Sequence, residues 1–307
     1  MEIHDLLYSK NGLSTKILAK RMLCFEEGER IPTVSEWNKE IHLARGTVQN
    51  ALKLLQSCGA VVLEAHGQSG TLLKKKDMAK LLEISGITQI LGVMPLPYSK
   101  RYEGLATGLV ANVENRYDIP VSLAFMRGSK NRVSMVLCDR YDFAIISRYA
   151  AEKMIEDGLE IEIVKSLGMF SYLSKHVLMF HDPYVGSIED GMKIGVDGSS
   201  VDQKKMSEIA CRNKSVQYVE VEYTQVVKKV ISGEIDAAVW NMDEIQEKLY
   251  SMNYIPLSID DDKDTEAVIV THRTRQEVAK ILDDLIQTDF VRKNQQLVIE
   301  GKMIPSY

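Results

Sequence analysis

The stretch Ala44-Arg45-Gly46-Thr47-Val48-Gln49-Asn50-Ala51-Leu52 decides how the N-terminal part of the chain reads. Val48, Ala51, Leu52 and Leu55 fall on one face of a helix over Arg45–Cys58, and Gly59 is placed to cap it. Arg45, Thr47, Gln49 and Asn50 are left on the opposite, early face. Upstream, Ile17, Leu18, Met22 and Leu23 recur at helical spacing within Ser14–Phe25, and Glu26-Glu27-Gly28 ends that helix. Pro32 gives an extended lead-in, Thr33 or Ser35 is placed to cap, and Val34–Ile41 is a short helix. His42-Leu43 makes the turn. Downstream, Ala60–Glu64, the turn Gly67-Gln68-Ser69-Gly70 and Thr71–Leu73 read as strand, glycine turn, strand, closed by Lys74-Lys75-Lys76. Helix, short helix, turn, helix and hairpin make a winged helix-turn-helix, a fold that places its last helix in the DNA major groove.

Charge supports this reading once it is divided. The 307 residues carry a net charge of −5, which taken whole argues against a polyanionic partner. Residues 1–80 hold 12 Lys and Arg against 9 Asp and Glu, and the rest hold 26 against 34. A basic head therefore precedes an acidic body. No apolar run approaches the roughly 20 residues of a spanning helix, and the first ten residues lack a basic start and an apolar stretch, so neither membrane nor export is expected. Cys24, Cys58, Cys138 and Cys211 are scattered without a C-x-x-C pair, which fits reduced thiols in a cytoplasmic protein.

The body alternates strand and helix. A connector helix is expected over Asp77–Glu83. Strands are expected at Gln89–Met94, Val121–Met126, Asp142–Ser147, Met192–Val196, Val216–Val221, Ala237–Trp240 and Glu266–His272. Helices are expected at Arg101–Asn115, Arg132–Asp139, Val201–Arg212, Thr224–Ser232, Thr274–Thr288 and Phe290–Leu297. This alternation predicts an α/β fold with parallel sheets. A repeat lies inside it: aligning Asp142 with Asp236 superposes Val133 on Val227, Val136 on Val230, Leu137 on Ile231 and Ala144 on Ala238. Two related lobes imply a cleft at strand carboxyl ends. The domain reading is a winged helix over 1–76, a connector over 77–88, and a bilobal effector-binding domain over 89–307. Gly104 and Gly108, one turn apart, suggest close helix packing.

Gly28-Glu29-Arg30-Ile31-Pro32-Thr33, the helix at Ala44–Leu52 and the turn Gly67–Leu72 together resemble the GntR-type winged helix. Three arginines usual in that family are replaced, by Ser35, by Gln49, and by His66 and Gln68 in the wing. The resemblance therefore implies DNA binding with fewer ionic contacts, through Thr33, Ser35, Arg45, Thr47, Gln49, Asn50, Gly67, Gln68 and Thr71. Over most of the chain, Gly92–Tyr98, Tyr102–Ala106, Phe125–Gly128, Tyr141–Arg148 and Pro305-Ser306-Tyr307 resemble the YhfZ-type regulators. That resemblance implies a GntR-like winged helix joined to a type 2 periplasmic-binding-protein-like domain.

The cleft residues expected at strand ends are Tyr98, Ser99 and Lys100, Arg127, Ser147 and Arg148, Asp197, Ser199 and Ser200, and Trp240 and Asn241. Two arginines beside helix N-termini favour a small anionic metabolite carrying carboxylate or phosphate. No P-loop, H-E-x-x-H or G-x-S-x-G occurs, and neither a catalytic residue, a metal nor a cofactor is expected. The function these features favour is a ligand-responsive regulator of double-stranded DNA, a homodimer or higher homo-oligomer if its operator is palindromic. The competing readings are an enzyme on a binding-protein-like fold and an adaptor that has lost DNA contacts.

Overall fold

Ser9 accepts the N–H of Gly12 and starts α1 (Lys10–Leu23), whose Leu18, Ala19, Met22 and Leu23 are buried. The computed structural model describes residues 9–67, 70–114, 120–248, 253–257 and 262–307. Strand β1 (Arg30–Ile31) leads to Thr33, which caps α2 (Val34–Ile41) in a reciprocal box with Glu36. His42, at φ 53°, turns the chain into α3 (Arg45–Ser57). Val48, Ala51 and Leu55 bury the expected face of α3 beside Trp37, whose ring meets Phe25 edge-to-face at 5.9 Å.

Strands β2 (Val61–Ala65) and β3 (Thr71–Lys76) form the hairpin, and β1 joins it in the order β1-β3-β2. The lysine run continues β3 rather than closing the unit. Lys76 donates to the carbonyls of Leu23 and Phe25 beyond the end of α1, and Lys74 pairs with Glu64 at 2.8 Å. Asp77 caps α4 (Met78–Ser85), which buries Leu81 and Leu82. By compactness, one unit holds the N-terminal residues through Ile90 together with Gln276–Ile281; a second holds most of the rest.

The body runs β4 (Ile90–Met94), α5 (Lys100–Glu114), β5 (Val121–Phe125), α6 (Ser129–Leu137), β6 (Phe143–Ser147), α7 (Arg148–Glu156) and β7 (Ile161–Ser166). It continues through β8 (His176–Phe180), β9 (Lys193–Val196), α8 (Val201–Ala210), β10 (Gln217–Glu220), α9 (Val226–Ile231), β11 (Ala237–Asn241), α10 (Met242–Lys248) and β12 (Asn253–Leu257). Strand β13 (Ala267–His272) and helices α11 (Gln276–Leu285) and α12 (Thr288–Ile299) complete it.

Two five-stranded sheets result, β5-β4-β6-β13-β7 and β10-β9-β11-β8-β12. They are mixed, which corrects the expectation of parallel sheets. β4 and β6 are parallel, as are β9 with β10 and β11. β13 runs antiparallel to β6 and β7, and β8 antiparallel to β11 and β12. The reason is that the chain crosses between lobes twice, after β7 and after β12, so each sheet accepts one strand arriving from the other lobe. The crossing segments lie side by side, with Tyr172 N–H donating to Thr265 C=O at 2.8 Å.

The repeat is physical. Asp142 donates its N–H to Leu91 C=O at 2.8 Å and accepts Leu91 N–H on its carboxylate at 2.8 Å. Asp236 does the same with Lys193, at 2.8 and 2.7 Å. Three residues before each aspartate the backbone turns left-handed, at Asp139 (φ 54°) and Gly233 (φ 72°). Each lobe thus ties the turn after its second helix to the start of its first strand.

Gly104 and Gly108 let α5 lie against α12. A Cβ on Gly108 would sit 2.6 Å from the Val291 carbonyl oxygen, and one on Gly104 would sit 2.7 Å from that of Gln295. Gly108→Ala is therefore expected to destabilise the protein by about 1–3 kcal/mol through forced separation of the helices. Urea unfolding of the full chain checks this; an unshifted midpoint would show that the helices part without cost.

Candidate functional site

The carboxyl ends of β4, β5, β9, β10 and β11 converge on a cavity of about 60 Å³ between the two lobes of the body. Six of the eleven sequence-predicted cleft residues line it: Tyr98, Arg127, Asp197, Ser200, Trp240 and Asn241. Two of these, Tyr98 and Trp240, form an aromatic wall with Tyr223, which the sequence did not single out. Tyr223 stacks on Trp240 with ring centroids 4.0 Å apart, and Tyr98 stacks on Tyr223 at 5.9 Å. Tyr223 also donates its hydroxyl to Glu244 at 2.6 Å, and burial raises its pKa well above the usual tyrosine value.

Two of the wall's polar atoms are unsatisfied. Trp240 and Asn241 are 3 and 2% exposed, and neither Trp240 Nε1 nor Asn241 Nδ2 has a hydrogen-bond partner among the described residues. Asn241 Oδ1 is occupied by the N–H of Asp243 at 2.9 Å, which fixes the amide orientation. An unpaired buried donor costs roughly 1–3 kcal/mol.

Sequence reasoning missed the strongest feature, Arg132. It was assigned to a helix start, but its side chain is 2% exposed and forms part of the cavity wall. Its Nε donates to Ile145 C=O at 3.0 Å, Nη1 to Met126 C=O at 2.8 Å, and Nη2 to the Tyr172 hydroxyl at 2.8 Å. All three partners are neutral. Among the described residues, no carboxylate is hydrogen-bonded to this guanidinium. The signal available in sequence was slight: an arginine one turn into a helix whose other inward residues, Val133 and Val136, are apolar.

Asp202, Gln203, Ser129, Tyr102, Tyr172 and His176 are further wall residues that the sequence did not reveal. Asp202 is 4% exposed and accepts the Ser147 hydroxyl at 2.5 Å across the lobe junction. Burial pushes its pKa up to about 6, against the opposing effect of the Ser147 hydrogen bond. His176 Nδ1 lies 2.7 Å from the carboxylate of Asp264.

The other five predicted residues lie outside the cavity wall. Ser147 is fully buried, capping α7 through the N–H of Ala150 while holding Asp202. Arg148 is engaged bidentately by Glu266, at 2.6 and 2.9 Å. Ser199 gives its N–H and hydroxyl to Asp197, and its hydroxyl occupies the space a Cβ on Gly128 would need, 2.4 Å away. Ser99 is buried at the start of α5, with the exposed Lys100 next to it. Of the six lining residues, Arg127 is partly exposed and forks onto Glu222 at 2.7 Å. Asp197 accepts from Ser199 and from Tyr223 N–H, so it organises the turn before α8, which Ser200 caps.

In the winged helix, Arg45, Gln49 and Asn50 are exposed on the outer face of α3 and Thr47 is half-buried. Arg45 Nη2 reaches Ser35 Oγ at 2.5 Å, which ties α3 to α2. Thr33 is occupied in its capping box; Gly67 is exposed and Thr71 half-buried in the hairpin. Gln68 lies outside the described residues. No helix among the described residues is long and apolar enough to cross a membrane.

A helix-turn-helix head on a bilobal α/β body defines a class: a DNA-binding regulator carrying a periplasmic-binding-protein-like domain. Residues 77–307 match the YhfZ C-terminal domain and residues 26–73 a helix-turn-helix domain. The chain is 32% identical to YhfZ of Escherichia coli K12 over 97% of its own length and 98% of that protein. The chain belongs to the YhfZ family. The crystal structure of YhfZ from Shigella flexneri superposes with a TM-score of 0.62 at 31% identity, over 75% of this chain and 97% of that one. An amino acid ABC transporter substrate-binding protein from Streptococcus pneumoniae, bound to L-arginine, shares the fold of the body at 14% identity and a TM-score of 0.51, over 71% of this chain and 96% of that one.

The raised pKa of Asp202 has a signed consequence. Between about pH 4 and 6 the native state holds a proton there that the unfolded chain has released, so this contribution to stability falls as pH rises through that window. Integrated from the ordinary value of 3.8 to about 6, it amounts to about 3 kcal/mol. Asp202→Asn should lack the fall, gaining stability relative to the parent between pH 4.5 and pH 7. Parallel unfolding curves at the two pH values would contradict it.

Proposed function

We propose that this protein is a cytoplasmic, ligand-responsive transcriptional regulator rather than an enzyme. A small anionic metabolite enters the interlobe cavity, and differential affinity for two lobe arrangements shifts the placement of paired winged helices on an operator. The observation that carries the ligand's sign is Arg132. A buried guanidinium hydrogen-bonded only to neutral groups is a costly charge, felt by Asp202 without a direct hydrogen bond, and a carboxylate or phosphate oxygen placed against it compensates it directly. Trp240 Nε1 and Asn241 Nδ2 supply two more donors on the same wall. A binding role is further supported by His176, whose Nδ1 is engaged by Asp264 and to whose other nitrogen no hydroxyl or thiol among the described residues is hydrogen-bonded.

The DNA-reading face is GntR-like, with Arg45, Thr47, Gln49 and Asn50 at the bases and Thr33, Ser35, Gly67, Gln68 and Thr71 at phosphates. A homodimer or higher homo-oligomer places two such faces on a palindromic site. Arg45→Ala should weaken binding to the protein's own upstream DNA by about 1–3 kcal/mol, measured by fluorescence anisotropy against a scrambled duplex. Equal affinity for both duplexes, unmoved by the substitution, would overturn specific DNA recognition.

The ligand arm is tested by a thermal-shift screen of small carboxylates and phosphate esters against the full chain. Asn241→Asp keeps the acceptor that binds Asp243 N–H but replaces the free donor by a carboxylate. It is expected to abolish the shift given by an anionic hit while leaving DNA affinity intact. An anion that stabilises both proteins equally would place the pocket elsewhere, and turnover of a hit would favour the enzyme.

A further inference from the structure

Helices α6 and α8 each have a second face. Arg132 on α6 and Asp202 and Gln203 on α8 point into the cleft. Lys130, Ser134 and Leu137 lie four and three residues apart on another stripe of α6, and Val201, Lys204, Lys205 and Glu208 do so on α8. With Tyr149, Lys153 and Met154 of α7 they enclose a separate cavity of about 460 Å³, which shares no lining residue with the cleft. That volume lies within the usual range of small-molecule sites.

Its chemistry is two-sided. The floor is the edge of the first lobe's core: Met154 is buried, and Leu137, Leu159 and Val201 are only partly covered. The rim carries four lysines against two carboxylates, Asp157 and Glu208. Lys153 is paired with Asp157 at 2.8 Å, and Lys130 donates to the Gly198 carbonyl at 3.0 Å. Lys204 and Lys205 form no ion pair among the described residues, and with Lys130 they leave the rim net positive.

We propose that this groove is a second ligand site, for an amphipathic organic anion whose apolar body lies on Leu137, Met154, Leu159 and Val201 and whose anionic head meets Lys204 and Lys205. Because α6 and α7 belong to one lobe and α8 to the other, an occupant touches both lobes from behind the cleft helices. It therefore acts on the same lobe arrangement as a cleft ligand, and the two affinities are reciprocally linked.

The probe is 8-anilinonaphthalene-1-sulfonate, an aromatic body with one sulfonate, titrated into the full chain by fluorescence. The expected result is saturable binding of one probe per chain, weakened by added salt and by about tenfold or more in Lys204→Glu/Lys205→Glu. Ser134→Trp, which fills the groove from an exposed position, should block the probe independently of charge. The cleft variant Asn241→Asp should bind it as the parent does. Unchanged affinity in the lysine double variant and in Ser134→Trp, or loss of binding in Asn241→Asp alone, would overturn the proposal. That last outcome would assign the probe to the cleft, so this site and the cleft reading fail separately.

Discussion

The body is organised around the burial of one guanidinium. A charged group removed from water costs several kcal/mol unless its donors are all met. Arg132 meets three of its five donors with neutral acceptors from separate places: Met126 at the end of β5, Ile145 within β6, and Tyr172 on the crossing segment between lobes. Those three groups must therefore hold fixed relative positions. Tyr172 is in turn anchored by Thr265 of the returning crossing segment and packs edge-to-face on Tyr102 at 5.4 Å. One side chain thereby ties two strands of the first lobe to the crossing segment. Its positive charge also reaches Asp202 in the second lobe, where it partly offsets the effect of burial on that carboxyl.

The duplication explains why the cleft falls where it does. In each lobe an aspartate latches the helix–turn–strand unit onto the first strand, so β4 with β6 and β9 with β11 present their carboxyl ends in equivalent ways. Loops from those ends then face one another. The exchanged strands β13 and β8 occupy equivalent positions, each antiparallel to the strand that follows the latch. Two crossings in opposite senses hold the lobes as a pair without a dedicated linker domain.

Much of this was legible in sequence where period and turn chemistry act locally. Val34–Ile41 and the start of α3 at Arg45 follow from capping and apolar spacing, and the Asp142–Asp236 alignment paired two helix–turn–strand units that the structure shows to share their hydrogen bonds. Neither the orientation of β13 nor β8 itself was legible. A strand's local pattern reports burial, whereas parallel or antiparallel pairing depends on which lobe the preceding segment left. β7 and α7 were passed over because Ile161–Ser166 carries charges at Glu162 and Lys165 that break a clean apolar run. The site was half legible for a related reason. Strand ends can be counted along a chain, which found Tyr98, Arg127, Asp197, Ser200, Trp240 and Asn241. Whether an arginine is spent on a carboxylate cannot be counted that way. Arg148 proved bidentately engaged by a residue 118 positions away, while among the described residues Arg132 is hydrogen-bonded to no carboxylate.

The basic surplus of the head is also altered by the structure. Arg21 faces Glu40 at 3.4 Å, Arg30 faces Glu36 at 3.7 Å, Lys74 pairs with Glu64, and Lys76 is turned inward onto main-chain carbonyls. Formal charge counted along residues 1–80 thus overstates the cations free for a polyanion. Exposed pairs of this kind contribute only about 0–1 kcal/mol, so a phosphate can exchange for a carboxylate at Arg21, Arg30 or Lys74 with little penalty. Lys76 differs, because leaving its carbonyls would expose unsatisfied groups at the end of α1. What distinguishes Arg45 is its tether. Ser35 holds the guanidinium at the start of α3 through a neutral hydroxyl, which orders the side chain without neutralising it. A serine where the family resemblance implies another arginine therefore supplies a tether for Arg45 in place of a second cation.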